Sequence, residues 1–251
     1  MADRRPMYLF ASGRGAQARA TLERLGPVLA QLNKERPTIA YIGVASFRDN
    51  WLVYLLVTGL LRMKVRCRIT RVVIAPKNAD LELAREQCLA ADAIFFSGGD
   101  VDAGAQILRD KGMDAFFQDL AQTSKLFFGI SAGSIILGRE WVRWTAPADE
   151  SSATIFPCLG IAPVICDVHD EEDDWPELRA LLRLEREGTV GYGITSGSCL
   201  KVSPDGGLSA EHGTVVRLAL RDGVVERLPD LLAEDSRAVA KVDQAQIVSK
   251  N

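Results

Sequence analysis

Gly129-Ile130-Ser131-Ala132-Gly133 sets one serine between two glycines, directly after the apolar run Leu126-Phe127-Phe128. A serine hydroxyl becomes a nucleophile at neutral pH when the backbone projects it into open space and a base takes its proton. The G-x-S-x-G spacing meets the first need, because a strained strand-to-helix turn requires neighbours without bulk. A helix expected over Ala132–Leu137 would turn free N–H groups and a positive dipole end toward the serine. The Ala132 N–H is then placed to donate to a developing oxyanion. Gly98-Gly99-Asp100 ends the preceding apolar run, Ala93–Ser97. Two adjacent glycines there let backbone amides approach a substrate carbonyl closely.

The base must come from two histidines. His169 follows the run Val164–Val168, at a strand end that reaches the same rim. His212 lies in Ser209-Ala210-Glu211-His212-Gly213 and reads as a solvated turn residue, so His169 is the expected base. Asp149, between Ser131 and His169 in the chain, is a candidate orienting acid. The run Asp170-Glu171-Glu172-Asp173-Asp174 offers other carboxylates, although such runs usually form solvated loops.

These residues need a scaffold that gathers strand ends. Short apolar runs at Met7–Ser12, Thr38–Ala45, Ala93–Ser97 and Leu126–Ile130, with a half-exposed alternating strand at Val65–Ile74, alternate with helical stretches at Ala16–Lys34, Asn50–Met63, Leu81–Ala90, Ala103–Asp110 and Asp114–Ser124. The pattern predicts an α/β fold with a mostly parallel central sheet and helices on both faces. Ligands bind such sheets at the carboxyl ends of the strands, so the loops after Ser12, Ala45, Ser97 and Ile130 should share one rim. The C-terminal third carries β-like runs at Val164–Val168, Val190–Ile194, Cys199–Ser203, Val215–Leu220 and Val224–Leu228, read as antiparallel strands extending the sheet. One helix, about Trp175–Glu187, interrupts them. No linker divides the chain, so a single domain over residues 1–251 is expected, weakly patterned after about residue 231.

A net charge of −3 gives no basic field to hold nucleic acid. Five cysteines, odd in number and without CxxC spacing, define neither a disulfide framework nor a zinc ribbon. No metal or cofactor is expected, since the Gly13-Arg14-Gly15 and Gly98-Gly99 loops complete no P-loop or dinucleotide fingerprint. No stretch is long enough to span a membrane. Met7–Ala11 is too short for a signal-peptide core. A cytoplasmic protein is expected, acting on a small peptide and partnered at most by a second copy of itself in a homodimer.

Ile94–Asp100 (IFFSGGD), Phe128–Ser134 (FGISAGS) and the strand ending at His169 resemble the dipeptidase E and cyanophycinase family of serine peptidases, whose fold is like that of class I glutamine amidotransferases. The resemblance spans roughly Met7 to Leu228. It implies Ser131 as nucleophile, His169 as base, and Gly99 and Ala132 as oxyanion donors, with Asp149 matching an aspartate of the triad. Gly98 and Asp100 flank the substrate in this reading. The chain departs from the family at Ser196, where a carboxylate often stands. It departs again near Trp175 and Arg179, where a substrate-binding arginine would lie. With serine at 196, Asp149 must serve as the acid or activity is reduced; the missing arginine and the acidic run Asp170–Asp174 argue against specificity for N-terminal aspartate. Two alternatives accompany the peptidase: a catalytically silent binding protein on the same scaffold, and an esterase of the α/β-hydrolase type.

Overall fold

The apolar runs that end at the expected rim become strands of one sheet. The computed structural model describes residues 4–13, 16–46, 48–146 and 150–233. Strands β1 (Met7–Phe10), β2 (Thr38–Ile42), β3 (Arg68–Val72), β4 (Ala93–Phe96) and β5 (Leu126–Ile130) run parallel. Between them lie α1 (Ala16–Ala30), α2 (Trp51–Lys64), α3 (Leu81–Ala90), α4 (Val101–Asp110) and α5 (Met113–Leu120), and α6 (Ala132–Leu137) follows β5. Side chains alternate across the sheet because successive residues of a strand point to opposite faces. Leu9, Ile42, Ile94, Phe96 and Phe127 face one core; Tyr8, Phe10, Ile39, Tyr41, Phe95 and Phe128 face the other. Both faces are dry, which explains why these strands read as continuous apolar runs.

After α6 come β6 (Glu140–Trp144), β7 (Ala153–Pro157), β8 (Ile165–Val168), α7 (Pro176–Arg183), β9 (Val190–Ile194), β10 (Cys199–Val202), β11 (Leu208–His212), β12 (Thr214–Arg221) and β13 (Val224–Leu232). The main sheet has the order β11-β10-β1-β5-β4-β2-β3, with β10 antiparallel to β1 and β11 antiparallel to β10. Of the expected antiparallel extension only β10 joins this sheet, and β11 is added beside it. The others form a second sheet, β13-β12-β9-β8, and a separate β6-β7 pair. β5 is flanked by β1 and β4, and β10 takes the other edge of β1; β8, β9, β12 and β13 pair among themselves, β8 parallel to β9 and the other pairs antiparallel.

Three strands, β6, β7 and β11, are additions to the sequence-based reading. β11 changes the expected place of His212. It ends that strand, half-buried and opposite Cys199, rather than standing in a solvated turn.

Candidate active site

Ser131 stands between β5 and α6 with φ 55° and ψ −128°, a conformation that costs energy for a residue with a side chain. Its N–H donates to the Phe10 carbonyl at 2.9 Å, tying the turn to β1. The flanking glycines make the turn sterically feasible. A Cβ on Gly133 would lie 2.0 Å from the Phe96 carbonyl oxygen, and one on Gly129 would lie 2.6 Å from the Gly133 backbone. The spacing seen in the sequence is thus enforced by backbone against backbone.

His169 arrives from the other sheet. It follows β8 with φ 48°, and its N–H donates to the Ile194 carbonyl of β9 at 2.9 Å. Ser131 Oγ and His169 Nε2 are 2.8 Å apart, within hydrogen-bond distance. Oγ donates to Nε2 when the ring proton sits on Nδ1.

Gly99 closes the rim beside them. Its φ of 144° and a would-be Cβ only 1.9 Å from the Ala45 carbonyl oxygen admit no side chain there. Ser46 Oγ, 2.7 Å from Ser97 Oγ, donates to the Gly98 carbonyl at 2.6 Å and pins the loop. Gly98 lies against Ser131, where a Cβ would be 3.0 Å from the serine Cβ. Among the described residues, neither the Gly99 nor the Ala132 N–H has a protein acceptor. Both residues line a cleft of about 240 Å³ together with Ser131 and His169.

The family model of peptidase family S51 matches residues 8–208. The chain belongs to peptidase family S51. It is therefore a serine peptidase, and membership displaces the esterase alternative. Two solved structures share its fold. A peptidase from an acI-B1 actinobacterium is 20% identical, with a TM-score of 0.61, covering 92% of this chain and 95% of that one. A putative peptidase E protein from Listeria monocytogenes EGD-e is 16% identical, with a TM-score of 0.59, covering 90% of this chain and 100% of the other. No curated protein matches the sequence.

Other sequence-derived site residues of this S51 chain are placed differently. Asp100 caps α4, accepting from the Ala103 N–H at 3.0 Å, and its own N–H is held by Ala45. Its carboxylate serves the helix end rather than the cleft. Trp175 is 2% exposed, with its ring packed over Gly193, and Arg179 donates to the Asp174 and Val225 carbonyls. Arg179 lines a separate cavity with Trp144 and Arg183, so neither it nor Trp175 lines the Ser131 cleft. Ser196 shares a second cavity of about 580 Å³ with His169, Gln17 and Glu171, and its N–H donates to Glu171 Oε1 at 3.0 Å. Asp149 lies outside the described residues. Among those described, no carboxylate hydrogen-bonds the His169 ring.

Two carboxylates of the S51 cleft, Asp167 and Glu177, escaped the sequence reading, and Asp170 of the acidic run joins them in that cleft. Asp167, Asp170 and Glu177 line it, with one oxygen from each within 4.8 Å of the others. Burial pushes the Asp167 carboxyl well up, with Asp170 and Glu177 adding to the rise. Asp170 is pushed up to about 6, first by burial and then by Glu177, Asp173 and Glu171. The expected solvated loop is thus half-buried at Asp170 and Glu171. A signal did exist at Asp167: an acid inside an apolar strand, two residues before a histidine, shares that histidine's face if the strand continues.

Proposed function

We propose that the protein hydrolyses amide bonds of small peptides, with Ser131 as nucleophile on a nucleophile elbow and His169 as general base. Ser131 Oγ attacks the amide carbonyl carbon while Nε2 takes its proton. The Gly99 and Ala132 N–H groups receive the negative charge on the carbonyl oxygen. The C–N bond then breaks as His169 returns the proton to the leaving amine, leaving an acyl-serine. Water, deprotonated by the same imidazole, cleaves the ester and restores the hydroxyl. The observation that carries this reading is the 2.8 Å approach of Oγ to Nε2 at a turn with a strained backbone.

Asp149 is the proposed orienting acid. Glu171 is a second candidate, since the Ser196 N–H holds it in the cavity that His169 also lines. A catalytically silent protein is the competing reading, favoured by Ser196 where the family often has a carboxylate. A dipeptide library turned over by the wild type and by Ser131→Ala separates the two. Loss on the order of 10⁴-fold or more in the variant is expected. A wild type that turns over nothing, or a variant as active as the wild type, contradicts the hydrolase.

Five buried free cysteines support a reducing compartment, hence the cytoplasm. A homodimer finds its support in α2. Leu52, Leu56 and Met63 are 73%, 66% and 71% exposed on that helix, beside Trp51, Leu55 and Leu60. A second copy of this uncharged stripe is its natural cover.

A further inference from the structure

We propose that the Ser131 cleft takes the side chain of a basic residue, lysine or arginine, with Asp167, Asp170 and Glu177 receiving its cationic head. The inference rests on Ser131 as the reacting group and names the substrate class of that same site. Asp167 carries it beyond a mere gathering of acids. Its side chain belongs to a residue only 5% exposed, and its Oδ2 is buried with no hydrogen-bond partner. The other oxygen is satisfied by the Val168 N–H at 2.7 Å. A buried carboxylate oxygen left unpaired is costly, and a cation in the cleft relieves that cost.

The geometry suits a nitrogen cation. Charge-assisted N–H···O bonds are about 2.8 Å long. One nitrogen centred among three oxygens therefore tolerates the separations found here, up to 4.8 Å. An ammonium has three donors and a guanidinium five, enough to reach all three groups. Among the described residues, no lysine or arginine lines the cleft to take that place.

The walls favour a side chain over the terminal α-ammonium. Val101, Ile135, Trp141 and Val168 line the same cleft. Lysine and arginine bury their methylene stems along such apolar surface and carry the charge to its end. An α-ammonium has no stem to lay there. On the far side of His169, Glu171, Glu172 and Asp173 line the second cavity and keep the surrounding field negative.

The test uses Lys-Ala, Arg-Ala, Ala-Lys, Ala-Ala and Asp-Ala, each with a free and an acetylated N-terminus. The wild type should give kcat/KM at least ~10-fold higher for the best basic peptide than for Ala-Ala, acetylated or not, and lowest for Asp-Ala. Asp170→Asn and Glu177→Gln should each bring the basic-to-neutral ratio toward one. A wild-type ratio near one, or a ratio unchanged in both variants, overturns the inference. So does a preference that vanishes on acetylation, which assigns the cluster to the α-ammonium. Calorimetric titration of Ser131→Ala with the same peptides reads binding without chemistry. If the wild type cleaves nothing while Ser131→Ala binds acetyl-Lys-Ala more tightly than acetyl-Ala-Ala, the nucleophile assignment fails and this inference stands. Calcium bound by Ser131→Ala in competition with the peptide would instead give the cluster to a metal and overturn it.

Discussion

Asp170 shows how a single side chain can be tuned for a ligand at the expense of the fold. Its carboxyl, ordinarily near 3.8, is pushed up to about 6 by burial and by Glu177, Asp173 and Glu171. Between those values the folded chain holds a proton that the unfolded chain has lost. Stability contributed by this group is therefore full below about pH 4 and is lost as pH rises through about 6. Asp170→Asn removes the repulsion without removing the shape. We expect it to raise stability above pH 6 by on the order of 1 kcal/mol, discounted for solvent screening, and to flatten the decline with pH. Scanning calorimetry at unit steps from pH 4 to 8 checks this; a variant less stable throughout would contradict it. The same residue illustrates where reading the sequence stops. A run of five acids looks like a solvated loop, and only the approach of Asp167 and Glu177 from β8 and α7 makes it part of a cleft. Trp175 fails in the opposite sense, because the space above Gly193 that receives its ring is created by tertiary packing.

Two elements hold the reacting geometry, and both depend on glycine. The β5-α6 turn was legible because its constraint is local: an apolar run, then small residues at fixed spacing about Ser131. Gly133→Ala places a methyl 2.0 Å from the Phe96 carbonyl oxygen. We expect a loss of about 3 kcal/mol or more in urea unfolding, or no soluble protein at all. An unchanged midpoint would mean the turn is looser than described. Gly99→Ala acts on the second element, the loop after β4, by meeting the Ala45 carbonyl oxygen at 1.9 Å. The displaced amide should lower kcat by roughly 10²-fold with a smaller change in KM. Equal losses in both constants would assign Gly99 to substrate binding instead. His169 was legible from its position after an apolar strand, but its partner sheet was not. β8 pairs with β9, and β9 with β12, in a sheet of their own rather than on the main sheet, a property of the assembled fold. β6, β7 and β11 escaped because each is only five residues long, too short for a period to stand out, and each pairs with its neighbour along the chain.

At the scale of the molecule, the seven-stranded and four-stranded sheets meet where Ser131 and His169 do, so the site depends on their packing. Among the described residues no helix is long and apolar enough to cross a membrane; the homodimer proposed above would cover the apolar stripe on α2. Leu52→Glu with Leu56→Glu should convert a dimer to a monomer in light scattering without changing the circular dichroism. A wild type that is monomeric at every concentration would leave that face to another role. The central claim is tested most directly by intact-mass and peptide mapping after treatment with a fluorophosphonate. One adduct per chain, located on Ser131, absent in Ser131→Ala and strongly slowed in His169→Gln, is the expected result. An unlabelled wild type under conditions that label a control serine hydrolase, or an adduct elsewhere on the chain, would contradict it.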